Sequence, residues 1–90
     1  MKTLCQIFKS SRQEEMYLYV DREEGLERVP AALLARFGDP VEVMTLVLTP
    51  QRSLARANAA EVLESISERG FYLQMPPTPE ELLRRESGGE

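Results

Sequence analysis

The sequence predicts a small α/β (α+β) domain built as an α/β/α sandwich, with one sheet between helices. Two segments, residues 16–20 and 41–49, alternate with the two-residue period of strands and carry large side chains on both faces. Such strands need cover on both sides, and three helical segments are present to provide it. Ninety residues make one domain, and 42 % hydrophobic with 29 % charged residues is typical of a globular chain. The predicted order is β-β-α-β-α-β-α.

The first two strands are predicted at residues 4–8 and 16–20, joined by seven polar residues into a wide hairpin. Pro30 suits the first turn of a helix that ends at Gly38, a residue fitted to a left-handed C′ position. Residues 41–49 then form the longest strand. Because both of its faces are apolar, we expect it to be central in the sheet, with Leu46 in the core.

The second half of the chain carries the clearest helix signals. Asn58 and Glu61 form a variant of the capping box, and Gly70 ends that helix with a positive φ. Residues 71–75 form the last strand, which two prolines end. Residues 78–81 start the third helix with a hydroxyl cap, a proline and glutamates. We expect one domain over residues 1–86 and a frayed tail over residues 87–90.

Charge and cysteine content restrict the class of protein. A net charge of −4 argues against a general binder of nucleic acids or anionic membranes. The N-terminus has no signal-peptide core, and no segment approaches the roughly 18 apolar residues that cross a bilayer. Cys5 is the single cysteine, so we expect no disulfide and a buried thiol in the first strand. A cytoplasmic protein is the expectation.

Catalytic chemistry has little support. The chain has no histidine for acid–base work, no cysteine and histidine set for zinc, and no glycine-rich phosphate loop. The carboxylate pairs, such as Glu80 and Glu81, are adjacent in sequence, so their side chains diverge as on a solvated surface. We therefore expect no enzyme, no cofactor and no metal.

Several of these segments together resemble a known family. Residues 16–20, residues 28–38, residues 70–77 with their closing Pro-Pro, and residues 81–83 are similar to the YcgL-domain family of small proteobacterial proteins. The similarity runs from Cys5 to Leu83. It implies a compact α/β/α sandwich and brings no established catalytic or ligand-binding residues. Family members encoded near genes for an RNase D-type exoribonuclease, or for division-site placement, suggest an accessory role in RNA metabolism.

Two binding hypotheses follow, and the oligomeric state stays open. In the first, Glu23, Glu24 and Glu27 dock a partner protein with a basic surface; in the alternative interpretation these acids only keep the surface soluble. In the second, Tyr17, Tyr19 and Tyr72 share a sheet face and stack single-stranded RNA bases. Lys9 and Arg12 would then hold the phosphates. The competing interpretation is that a helix covers this face.

Three further polar residues are candidates for a small site. Gln74 lies in an otherwise apolar strand, where its amide satisfies backbone groups of a neighbouring loop or contacts a ligand. Arg52 and Arg56 lie on a connector with no acid between them. They are either solvated or available to a phosphate.

Overall fold

A computed structural model of the chain, which describes residues 2–54 and 57–87, contains one four-stranded antiparallel sheet and three helices. The strand order is β3-β1-β2-β4. The predicted mixed fold and element order are both confirmed. The elements are β1 (Thr3–Lys9), β2 (Tyr17–Asp21), α1 (Ala31–Phe37), β3 (Val41–Leu48), α2 (Ala59–Arg69), β4 (Tyr72–Gln74) and α3 (Pro79–Ser87).

Strands β1 and β2 form the predicted hairpin, and Ser10 organises its wide loop. The Ser10 hydroxyl donates to the carbonyl oxygen of Phe37 at 2.6 Å and accepts from the backbone N–H groups of Arg12 and Gln13, both at 3.0 Å. Ser10 is buried. One hydroxyl therefore holds the hairpin loop and joins it to the end of α1, satisfying a carbonyl that the helix leaves unpaired.

Each face of the sheet carries its own hydrophobic cluster. On one face, the side chains of α2 cover β1 and β2, with Cys5 and Leu48 fully buried. On the other face, Phe37 of α1 packs with Leu18, Val20 and other side chains. The layers of the predicted sandwich are present, although α1 covers only part of its face. The α2-side cluster consists of Cys5, Ile7, Tyr19, Leu48, Ala59, Val62, Leu63 and Ile66. The α1-side cluster consists of Met16, Leu18, Val20, Val29 and Phe37.

The prediction of a central position for β3 is wrong. Among the described strands, β3 pairs only with β1, so it lies at the edge of the sheet. Val43 and Val47 are each 48 % exposed, Leu46 is half-buried, and only Leu48 of this strand is buried. An apolar side chain gains free energy when it is buried, but it becomes buried only where another element of the fold covers it.

The helix ends follow the residues that predicted them. Asn58 Oδ1 accepts from the backbone N–H of Glu61 at 3.1 Å, and Gly70 ends α2 with φ +92°. Thr78 and Glu81 exchange side-chain-to-backbone hydrogen bonds at 2.9 and 3.2 Å, a full capping box. Gly38 follows α1 with φ +82°, but its ψ of −164° places it outside the left-handed helical region.

The C-terminal elements are short. Strand β4 covers three of the five residues predicted, 71–75, because its pairing with β2 begins at Tyr72 and ends at Gln74. Helix α3 extends to Ser87, the first residue of the expected tail, and residues 88–90 lie outside the described part. No helix in the described residues is long and apolar enough to span a membrane.

Candidate protein-interaction surface

The acidic segment after β2 has a defined backbone made of consecutive turns. Asp21 accepts at two positions: its Oδ1 from the Glu23 N–H at 2.9 Å, and its carbonyl oxygen from the Gly25 N–H at 2.8 Å. Gly25 supplies a positive φ of +60°, and the Glu27 N–H donates to the Glu24 carbonyl oxygen at 3.3 Å. These bonds hold the three candidate glutamates on a constrained scaffold rather than on an irregular loop.

Arg28 attaches this segment to α2. Its Nη2 donates to the carbonyl oxygen of Glu68 at 2.8 Å, in the last turn of the helix, where a cation complements the helix dipole. Its Nη1 lies 3.6 Å from Glu24 Oε1. Both side chains of that ion pair are about 40 % exposed, so the pair contributes at most about 1 kcal/mol. Glu23 and Glu27 are exposed and make no ion pair within the described residues.

Glu68, whose carbonyl oxygen accepts from Arg28, belongs to a second group of acids, which lies on α2. Glu61, Glu64 and Glu68 are exposed on the outer face of α2, at the three- and four-residue spacing of one helix face. A groove of about 470 Å³ runs beside these three residues toward β4. A smaller one of about 270 Å³ lies beside the Arg28 contact and is lined by Glu24 and Arg28 on one side and by Leu63 and Ser67 of α2 on the other. We call the glutamates of the segment and of α2 the acidic surface. In the sequence, the glutamates of α2 are recognisable only as one helix face, and nothing local relates them to the segment after β2.

The three tyrosines share one face of the sheet, as the RNA-binding hypothesis requires, and that face lies under α2. Tyr19 is 8 % exposed, and Tyr17 and Tyr72 pack against the same α2-side cluster. The rings of Tyr19 and Tyr72 meet edge to face, with centroids 5.7 Å apart and an interplanar angle of 83°. The Tyr19 ring is occupied by protein contacts and offers no open surface for a base.

Of the two basic residues of that hypothesis, only Lys9 lies at the rim of this face, whereas the Arg12 side chain packs beside Gly38 at the end of α1. Lys9 is exposed and lies opposite Tyr17 in the pairing of β1 with β2. Arg12 is exposed in the hairpin loop. Because stacking needs accessible rings beside the cations, this arrangement favours the covered-face interpretation.

The remaining polar candidates do not form a site. Gln74 Oε1 accepts from the Tyr19 hydroxyl at 3.0 Å, so the amide serves a core tyrosine instead of the loop backbone that we expected. Arg52 is exposed, and only its backbone N–H is engaged, with the Thr49 carbonyl oxygen at 3.0 Å. Arg56 lies outside the described residues.

Cys5 is fully buried in the α2-side cluster. Burial raises the pKa of its thiol from 9.0 to about 11; the Asp21 carboxylate adds to the rise, and a hydrogen bond with the Val20 backbone opposes it. A thiol in that state is a poor nucleophile at neutral pH. In the described part of the chain, no three His, Cys, Asp or Glu side chains lie close enough to hold a metal ion.

Comparison with known proteins assigns the family. The YcgL domain matches residues 5–77. This chain belongs to the YcgL domain family. It is 55 % identical to a YcgL domain-containing protein of Pseudomonas paraeruginosa, with 93 % of this chain and 95 % of that protein covered. A relative in Pseudomonas putida is 54 % identical over 94 % and 96 % of the two chains. One in Chromohalobacter salexigens is 57 % identical over 91 % and 85 %.

Proposed function

We propose that this YcgL domain is a protein-interaction domain without catalysis of its own, which acts in the cytoplasm on a partner with a basic surface. The observation that carries the proposal is the Arg28 bridge from Glu24 to the end of α2. This bridge ties the segment that carries Glu23, Glu24 and Glu27 to the end of the helix that carries Glu61, Glu64 and Glu68, which supports treating the two groups of acids as one docking surface.

An acidic surface of this kind is suited to docking a partner protein that itself binds nucleic acid. Acids attract a basic partner and accelerate its association, while they repel the nucleic acid that the partner holds. The chain's negative net charge likewise attracts a basic partner and repels nucleic acid. An RNA-processing enzyme, such as an RNase D-type exoribonuclease, is a partner of this class.

The test replaces Glu23, Glu24 and Glu27 together by Lys and compares capture of proteins from the native cell by tagged pull-down and mass spectrometry. At low ionic strength we expect the variant to capture at least about tenfold less partner, mainly because association slows, and we expect a smaller difference at high salt, since salt screens exposed charges. Circular dichroism and melting temperature check the fold.

A matched variant controls for net charge. Glu14, Asp39 and Glu80 are exposed and lie outside the acidic surface. Replacing these three by Lys changes the net charge by the same amount, and partner capture should persist. Equal capture by the wild type and by the Glu23, Glu24 and Glu27 variant at low salt would contradict the proposal and leave these acids as solubilising surface.

A further inference from the structure

Strand β4 is an edge strand whose Leu73 directs its backbone outward. β4 is last in the strand order, and β2 is its only neighbour among the described strands. The Ser10 N–H donates to the Met16 carbonyl oxygen, so even-numbered residues of β2 direct their backbone groups toward β1 and odd-numbered residues direct theirs toward β4. Tyr72 and Gln74 lie opposite odd-numbered residues of β2 and bond with them. The N–H and C=O groups of Leu73, between these two, therefore point away from the sheet.

The surroundings of β4 agree with this direction. The Ser65 hydroxyl of α2 donates to the carbonyl oxygen of Phe71 at 2.6 Å, on the same outer edge as Leu73 by alternation. In the described part of the chain, no hydrogen bond engages the N–H or C=O group of Leu73. A strand edge with an unpaired donor and acceptor is the structure to which an extended peptide adds in β-augmentation.

A recess lies on each side of this edge, and Leu73 lines both. On the α2 side is the groove of about 470 Å³, where Glu61, Glu64 and Glu68 outnumber one base, Arg69. On the α1 side is a smaller recess of about 110 Å³ with a mainly apolar lining. Its lining consists of Gln13, Met16, Leu33, Arg36, Leu73 and Met75. One side therefore attracts cations, and the other accepts an apolar side chain.

We propose that β4 binds an extended segment of the partner protein, which adds to the sheet as a fifth strand and carries basic, apolar and basic side chains in succession. This inference rests on the proposed function, because the segment belongs to the same basic partner. In an antiparallel pairing, the residue of the segment opposite Leu73 exchanges both hydrogen bonds with it and shares its face. Leu73 packs against the α1-side cluster, so that residue directs its side chain to the α1-side recess. Its two neighbours direct theirs to the opposite face, beside the glutamates of α2.

Charge determines which segment fits. Bases on the α2 side meet three glutamates, whereas a base on the α1 side would meet Arg36. A segment of the reversed pattern, with one base between two apolar residues, is therefore disfavoured on both sides. A second copy of this chain offers no suitable segment, because its sequence contains no apolar residue directly between two basic ones.

The test uses the whole chain and a synthetic probe, the acetylated and amidated peptide Ser-Lys-Leu-Lys-Ser, with amide hydrogen exchange measured by NMR. In the free protein, the Leu73 amide should exchange much faster than the amides of Tyr72 and Gln74, which pair with β2. With free peptide at about ten times its Kd, exchange at Leu73 should slow about tenfold. Exchange at Tyr72 and Gln74 should not change.

Two related peptides separate strand pairing from attraction between charges. Methylating the backbone nitrogen of the peptide's leucine removes the donor for the Leu73 carbonyl oxygen and should weaken binding at least about tenfold. The permuted peptide Ser-Lys-Lys-Leu-Ser has the same charge but places one base fewer beside the glutamates of α2. It should bind about threefold more weakly.

Two double variants of the protein test the acidic side of the edge. Glu64→Lys/Glu68→Lys should weaken binding of the first peptide at least about tenfold, since both side chains line the groove. Asp39→Lys/Glu42→Lys makes the same change in net charge beside β3, at the opposite edge of the sheet. At about 0.15 M salt it should change the affinity less than about twofold, because exposed charges are screened over such distances.

Four results would each overturn the inference: no binding at about 5 mM peptide, a Leu73 amide already protected in the free protein, equal affinities of the three peptides, or equal weakening by the two double variants. Failure of the proposed function is a different result, because the Glu23, Glu24 and Glu27 variant would then capture as much partner as the wild type. Loss of capture by that variant without peptide binding would leave the proposed function standing and remove β4 as the docking strand.

Discussion

Replacing Gly70 by Ala should destabilise the domain more than a positive φ alone explains. The residue ends α2 with φ +92°, where a side chain costs about 1–2 kcal/mol. A Cβ built at this position would also collide with the Cβ of Arg28 and lie 2.8 Å from its Cδ and Nε. Overpacking of this kind costs about 1–3 kcal/mol. We therefore expect a loss of about 2–5 kcal/mol, which lowers the melting temperature by roughly 8–40 °C in a domain of this size.

Gly25 provides the matched control. Its φ is +60°, and nothing lies within 4 Å of the Cβ that a substitution would add. Gly25→Ala should therefore show the backbone cost alone, about 1 kcal/mol. The measurement is urea unfolding followed by circular dichroism for both variants. If Gly70→Ala loses no more stability than Gly25→Ala, the close packing of Arg28 against the end of α2 is wrong, and with it the attachment of the acidic segment.

Three other predictions concern the core. Burial raises the Cys5 pKa from 9.0 to about 11. The neutral thiol therefore contributes fully to the free energy of unfolding below pH 9, and this contribution is lost as the pH rises toward 11. The loss is on the order of 2–3 kcal/mol in the free energy of urea unfolding, and an equally steep fall of stability with pH in Cys5→Ala would contradict this prediction. Leu48→Ala should cost about 2–5 kcal/mol and the half-buried Leu46 clearly less; equal losses would show that β3 is covered. Ser10→Ala leaves the Phe37 carbonyl without its partner and should cost about 1–3 kcal/mol, whereas a loss below about 0.5 kcal/mol would make that hydrogen bond dispensable.

The two binding surfaces differ in how far the sequence predicts them. The glutamates of residues 23–27 stand out as a local excess of charge, so the sequence identifies them directly. Their union with the glutamates of α2 depends on Arg28 reaching a carbonyl 40 residues away. Local patterns contain no information about such a contact. The cover over Tyr19 likewise depends on the packing of α2 on the sheet, which is a contact between distant segments.

The sequence by itself determined the elements of this protein and their order. Alternation of side chains, Asn58 with Glu61, and Thr78 with Glu81 are local signals, and each acts through backbone groups a few residues away. Only the tertiary structure decided which strand lies at the edge. Residues 41–48 are apolar enough for a central strand, but sheet order depends on pairings between distant segments, and β1 takes the inner position between β2 and β3. The apolar edge that results was therefore not predictable from the strand's own residues.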